Sequence, residues 1–300
     1  MTICITAIGE VLWDVFPDGS RFGGAPANVA GHAASLGAEA TMVSCVGDDD
    51  LGRQAISELD KRQVRTDYVR VSPDHPTGIV KVELGESGKP RFTIEEPAAW
   101  DDLEWSEALL KLARRCDAVC FGTLGQRGEP ARQVIRKFVS AAPAAAVRVC
   151  DVNLRPPFVD RNVIRGSLER ANVLKLSDEE VDIVGNAAGC SGTESEILAE
   201  LLDNWGLHLI AVTRGGRGAT LLSNSERSDC DGIPADVVDT VGAGDAFTAT
   251  LICGLLHGVA LSTINWHACR IASYVCSQSG ATPALPEQLV TELWSEGGEN

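Results

Sequence analysis

Asp239-Thr240-Val241-Gly242-Ala243-Gly244-Asp245-Ala246-Phe247 runs from a glycine-rich bend straight into an apolar, helix-like segment, Ala246 to Leu256. Backbone N–H groups exposed in such a bend, and at the start of the helix behind it, form a cradle for an anion. A carboxylate inside an anion cradle needs a reason, because the two repel. A phosphate held by Gly242, Ala243 and Gly244 supplies one, with Asp245 taking the proton of a hydroxyl that attacks the phosphorus. That is the geometry of phosphoryl transfer to an alcohol. The bland reading is a tight loop with Asp245 as a helix N-cap.

Outward from this bend, apolar strand-like runs alternate with helical patterns. Strands are expected at 3–8, 40–46, 118–121, 147–152, 173–176, 209–213 and 219–222, and helices at 27–36, 52–62, 106–114, 130–141, 178–184, 195–205, 245–256 and 261–277. Near-continuous apolar strands between helices imply a mostly parallel sheet covered on both faces, an α/β fold. Two stretches, Val11–Gly24 and Thr77–Ile94, break the rhythm. The second alternates apolar and polar residues around a Gly85–Gly88 turn, the pattern of a hairpin with one exposed face. Together they predict a small β-sheet lid, formed by about 11–25 and 75–97 and inserted in one domain spanning 1–300.

The 300 residues are 44% hydrophobic and carry a formal net charge of −16 with no basic block. A nucleic-acid or anionic-membrane partner needs clustered positive charge, so both are excluded as expectations. The first residues are too short an apolar run for a signal segment, no run approaches a membrane span, and the ten cysteines are scattered through apolar stretches. These features point to a reduced, cytoplasmic protein.

Four further motifs carry chemistry. Gly23-Gly24-Ala25-Pro26-Ala27-Asn28 lets the backbone approach a ligand closely and offers the Asn28 amide to a polyol; its bland reading is a turn with Pro26 in the first helical turn. Ser177-Asp178-Glu179-Glu180 reads as a capping box, with Glu180 also suited to a magnesium-bound water. Asp151-Val152-Asn153-Leu154-Arg155 ends a buried strand, at the end that faces the ligand crevice; Arg155 is either suited to stabilise a transferring phosphoryl group or orient substrate, or is a surface arginine after a Pro-rich turn. Thr213-Arg214-Gly215-Gly216-Arg217-Gly218 is either a nucleotide-phosphate loop or a hairpin turn.

Taken in order, Gly9-Glu10 with Asp14, the Gly23–Ala30 motif, Ser177–Glu180, Thr213–Gly218 and Asp239–Phe247 resemble the ribokinase-like, PfkB carbohydrate kinases over nearly the whole chain. Gly9-Glu10, Ala99-Trp100-Asp101 and Asp151-x-Asn153-x-Arg155 look most like bacterial fructokinases. The resemblance implies transfer of the ATP γ-phosphate to a primary hydroxyl of a sugar. By position it implies Asp245 as general base and Gly242, Ala243 and Gly244 as anion hole. Asp14, Gly24 and Asn28 match sugar ligands, with Arg155 beside them. Thr213, Gly215 and Gly218 match nucleotide contacts. Glu180 matches an indirect magnesium contact, and Asp239 a residue beside a monovalent-cation site such as one for K+. The family often has Asn where Ser177 stands. Ribose, 2-keto-3-deoxygluconate, a nucleoside or a phosphosugar are alternative acceptors, and a non-catalytic sugar- or nucleotide-binding relative is the alternative class. A phosphosugar would call on the lid cations Arg21, Lys81, Lys89 and Arg91. A nicotinamide-dependent dehydrogenase is set aside because no G-x-G-x-x-G follows the first strand. The apolar face of the lid further suggests a homodimer formed through its edge.

Overall fold

The computed structural model describes residues 2–17, 19–84 and 90–295. Its strands are β1 (Cys4–Ile8), β2 (Leu12–Phe16), β3 (Gly19–Gly23), β4 (Glu39–Gly47), β5 (Arg65–Ser72), β6 (Gly78–Leu84), β7 (Pro90–Ile94), β8 (Ala118–Gly122), β9 (Val147–Asp151), β10 (Val173–Ser177), β11 (Leu209–Thr213), β12 (Ala219–Leu222) and β13 (Arg227–Cys230). The helices are α1 (Ala25–Ser35), α2 (Asp50–Lys61), α3 (Glu107–Ala113), α4 (Glu129–Ala141), α5 (Arg161–Leu168), α6 (Val181–Ala188), α7 (Glu194–Trp205), α8 (Ala243–Leu256), α9 (Leu261–Cys276) and α10 (Glu287–Ser295).

Nine strands form one sheet in the order β13-β12-β11-β10-β9-β8-β1-β4-β5. Pairing is parallel from β11 through to β5 and turns antiparallel at β12 and β13. Alternate residues of β1 serve opposite faces. Ile5 and Ala7 pack with α1, α2, α8 and α9, while Ile8 packs with α3 to α7. This is the expected ribokinase-like α/β body. The chain leaves β1 first towards β4 and later returns on its other side to β8. A crevice therefore opens where the winding reverses, beyond the carboxyl ends of these strands.

The interruption of the rhythm at 11–24 is two strands, β2 and β3, and they join β6 and β7 in a separate four-stranded sheet of order β3-β2-β6-β7. This is the expected lid sheet. The Gly85–Gly88 turn and Lys89 lie outside the described residues. Both feet of the β6–β7 hairpin are tied to the body. Thr77 donates through its N–H and hydroxyl to the Asp49 carboxylate at 2.8 and 2.7 Å. Arg127 donates to the Glu95 carbonyl at 3.0 Å and to Asp101, while its guanidinium lies 4.6 Å from the Trp100 ring and 4.8 Å from the Phe158 ring.

Four elements were not expected from the sequence. β5 and β13 are edge strands with exposed residues, α5 is only eight residues long with two arginines and a glycine, and α10 is a nine-residue helix near the end of the chain. The helix expected at 178–184 begins instead as a 3-10 turn, Asp178–Glu180, before α6.

Trp100 is fully buried at the root of the lid with Leu12, Val80 and Ala98, and a Cβ on Gly78 would fall within its ring. Gly78→Ala therefore overpacks this junction and should cost about 1–3 kcal/mol. Urea denaturation should show a lower midpoint; an unchanged midpoint would mean that Trp100 is not fixed by this contact.

Candidate active site

The bend expected to cradle an anion lies at the start of α8. Gly242 occupies its N-cap at φ 80°, a left-handed conformation, and a Cβ there would run into the Ala281 carbonyl. Only glycine fits both demands. Asp245 is not the cap; it lies in the first turn. Gly244 is tight as well, since a Cβ there would lie 3.1 Å from the Lys175 ammonium.

Asp245 is 8% exposed and accepts a 2.8 Å hydrogen bond from the Asn28 side-chain amide. Burial, followed by the Asp151 charge, lifts its carboxyl to about 6, against the pull of Asn28, Lys175 and Arg155. Asn28 comes from α1, which starts at Gly24 (φ 111°) with Pro26 in its first turn. A Cβ on Gly24 would strike the Glu10 carbonyl, so the bend after β3 has to stay bare. The two glycine motifs, far apart in sequence, thus meet through one hydrogen bond.

Asp14 on β2 is part-buried, and burial raises it to about 6 against the opposing charges of Arg155 and Arg21. It lines a cavity of about 170 Å³ together with Phe22, Arg62, Asp239 and Gly280. Arg155 is exposed in the loop after β9, with its guanidinium bonded to the Leu154 carbonyl at 3.1 Å. Both Asp239 oxygens receive backbone N–H groups, from Val241 at 3.0 Å and Gly280 at 3.3 Å.

Glu180 accepts from the N–H of Leu154 at 2.5 Å and of Ser177 at 2.8 Å, the second bond being half of the expected capping box. Thr213 ends β11 in register with Ser177. The Thr213–Gly218 loop does join two antiparallel strands, as its hairpin reading required. Gly215 is exposed at φ 54°, whereas Gly218 is buried at φ 92°, packed against the Cys230 carbonyl. Glu180, Ser177 and Thr213 share the β10–β11 end.

Four polar residues in this region carry contacts that the sequence reading did not assign: Lys175 and Thr248 were passed over, and Asp151 and Glu10 were noted only as members of motifs. Asp151 and Lys175 are 3% and 6% exposed, and the Lys175 ammonium lies 3.0 Å from Asp151 Oδ1. Burial works against the Lys175 charge, yet the Asp151, Asp245 and Glu180 carboxylates outweigh it and hold the ammonium above the ordinary lysine range. Thr248 donates to Asp151 Oδ2 at 2.7 Å. Glu10, buried beyond β1, is pushed by burial to about 7, and its Oε2 has no hydrogen-bond partner among the described residues. A lysine inside a strand covered on both faces is the signal that was available, because lysine is almost never buried unpaired.

A bare backbone bend at a helix N-terminus, a raised carboxylate in the turn behind it and a cavity of mixed lining beside the small sheet are suited to hold a phosphorylated donor and to deprotonate a hydroxyl. Among the described residues no cluster of three His, Cys, Asp or Glu side chains could hold a metal ion, and no helix is long and apolar enough to cross a membrane.

The chain is 31% identical to the fructokinase of Klebsiella pneumoniae over 94% of this chain and 96% of that protein. It is 30% identical to a sugar kinase of Pyrococcus horikoshii over 95% and 94% of the two chains. The structure of that uncharacterised sugar kinase in complex with ATP superposes with a TM-score of 0.82 at 28% identity, covering 96% of this chain and 99% of the other. The model of the pfkB family carbohydrate kinases matches residues 9–288. The enzyme class read from the motifs, an ATP-dependent carbohydrate kinase, is the class of this family, and the chain belongs to the pfkB carbohydrate kinases.

Proposed function

We propose that this kinase transfers the γ-phosphoryl group of ATP to a primary hydroxyl of a monosaccharide, with fructose as the acceptor. The observation that carries the reading is the buried Asn28–Asp245 contact at the N-terminus of α8, where a raised carboxylate stands beside the anion cradle. The likeness to a Klebsiella fructokinase favours fructose. The ATP bound by the Pyrococcus relative favours the donor.

Phosphoryl transfer asks for position and charge stabilisation more than covalent chemistry. Asp245 accepts the hydroxyl proton as the oxygen attacks. Asn28 holds the carboxylate and presents its own amide oxygen, which has no partner among the described residues, to a sugar hydroxyl. Asp14, the Gly24 backbone and Arg155 complete the acceptor side. The N–H groups of Gly242, Ala243 and Gly244 carry the charge of the transferring group. Thr213, Gly215 and Gly218 take the nucleotide phosphates. Magnesium, when bound, neutralises phosphate charge. Glu180 would act on it through water, because both its oxygens already hold backbone N–H groups. At Asp239 the carboxylate likewise meets two N–H groups, so a monovalent cation such as K+ would share those oxygens. The lid covers the acceptor and keeps water away from the phosphoryl group. A second copy docks through the lid edge at β7, where Phe92 is 59% exposed.

Asp245→Asn should lower kcat by about 10²- to 10⁴-fold while leaving sugar affinity nearly intact. The wild-type kcat should fall as pH drops through about 6, because the base must be ionised to accept a proton and its folded-state value is raised to there. Near-normal turnover in the Asn variant would remove the assignment. Coupled ADP assays over fructose, ribose, 2-keto-3-deoxygluconate, nucleosides and phosphosugars should give fructose the highest kcat/KM; a higher value for another acceptor replaces it, and ATP binding with no turnover on any acceptor favours a binding relative. Sedimentation at micromolar concentration should find dimers, and monomers alone would dismiss the lid contact.

A further inference from the structure

We infer that Asp151 is the positioning residue of the phosphoryl-transfer site: one buried carboxylate that ties β9, β10 and α8 together and fixes the anion loop and Asp245 above it. The inference rests on Asp245 acting as the base.

Within the loop, Val241 N–H donates to Asp239 at 3.0 Å and Ala246 N–H to the Gly242 carbonyl at 2.8 Å. Gly242 has to be bare because of its left-handed backbone and the Ala281 carbonyl, and a Cβ on Gly244 would lie only 3.1 Å from the Lys175 ammonium. A further hold, on the helix behind the loop, comes from one turn below. The Thr248 hydroxyl lies 2.7 Å from Asp151 Oδ2 and 3.0 Å from the Gly244 carbonyl. It has a single proton, and the shorter, charge-assisted contact takes it. The other oxygen of Asp151 receives the Lys175 ammonium at 3.0 Å. Thr248 is completely buried, so no solvent competes for this junction.

A buried ion pair is weak evidence of a contribution to stability, since well-packed apolar residues often do as well. Its place under Gly244 gives it another use. The charge of Asp151 also faces Asp245 and raises it, while Lys175 and Arg155 oppose that effect. The remaining groups facing Asp245 are Asn28 on α1, Glu10 after β1 and Cys120 on β8. Asp151 thus sets both where the base stands and how strongly it holds a proton.

The two effects separate in three variants of the full-length enzyme. Thr248→Val removes the tie and leaves every charge in place. Its kcat should fall about tenfold to a hundredfold with KM for sugar little changed, as a misplaced reacting group implies, and the acid limb of the kcat–pH profile should stay put. Thr248→Ser keeps the hydroxyl and should restore kcat. Asp151→Asn should lower kcat and also move the acid limb to lower pH, because a neighbouring negative charge has gone. Circular dichroism and melting establish that each variant is folded. Wild-type kcat in Thr248→Val overturns the positioning role, whether or not Asp151→Asn folds. An unmoved acid limb in folded Asp151→Asn overturns the influence on the base. Turnover retained by Asp245→Asn would instead strike the base assignment itself; an inactive Asp245→Asn beside unaltered Thr248 and Asp151 variants strikes only the role of Asp151.

Discussion

The constraint on which this structure turns is that a carboxylate must stay inside the protein, close to a second carboxylate, at the start of a helix. Burial alone would hold the Asp245 carboxyl protonated well above the ordinary carboxylate range. Lys175, Arg155 and the Asn28 amide counter that tendency, and its value settles near 6 rather than higher. Each of those partners arrives on a different element. The long crossovers of the α/β body are what let one lysine from β10, one arginine after β9 and one asparagine from α1 meet the start of α8.

Glycine does the complementary task. Where carbonyls crowd the bends at Gly24 and Gly242, a side chain would either collide or force the backbone out of its left-handed turn. The polar contacts that steady the start of α8 come from Asp239 and the backbone beside it, from Asn28 on α1 and from Asp151 in the sheet beneath.

Much of this was legible in the chain. Fully buried strands such as β8 and β11 announce themselves as unbroken apolar runs, and the glycine motifs mark both bends. The alternation of β6 and β7 reveals a sheet with one wet face. What escaped was of two kinds. β5 and β13 sit at sheet edges, where the pattern of burial is set by neighbours rather than by the residues themselves. Lys175 was hidden by its surroundings, a strand whose apolar residues decide its reading, and although the Asp151 motif was visible, only the fold shows that Lys175 stands opposite Asp151 across β9 and β10. Pairings between distant positions, such as Asn28 with Asp245, are similarly invisible until the sheet is wound.

The clamped feet of the β6–β7 hairpin have a mechanical consequence. Thr77 is pinned by Asp49 at one foot, and Glu95 by an arginine wedged between two aromatic rings at the other. A ribbon fixed at its root passes force into its supports: loads on β6 and β7 are carried into Asp49 at the start of α2 and into Arg127 just before α4. The stiffness with which this sheet is seated is thus set by residues of the body.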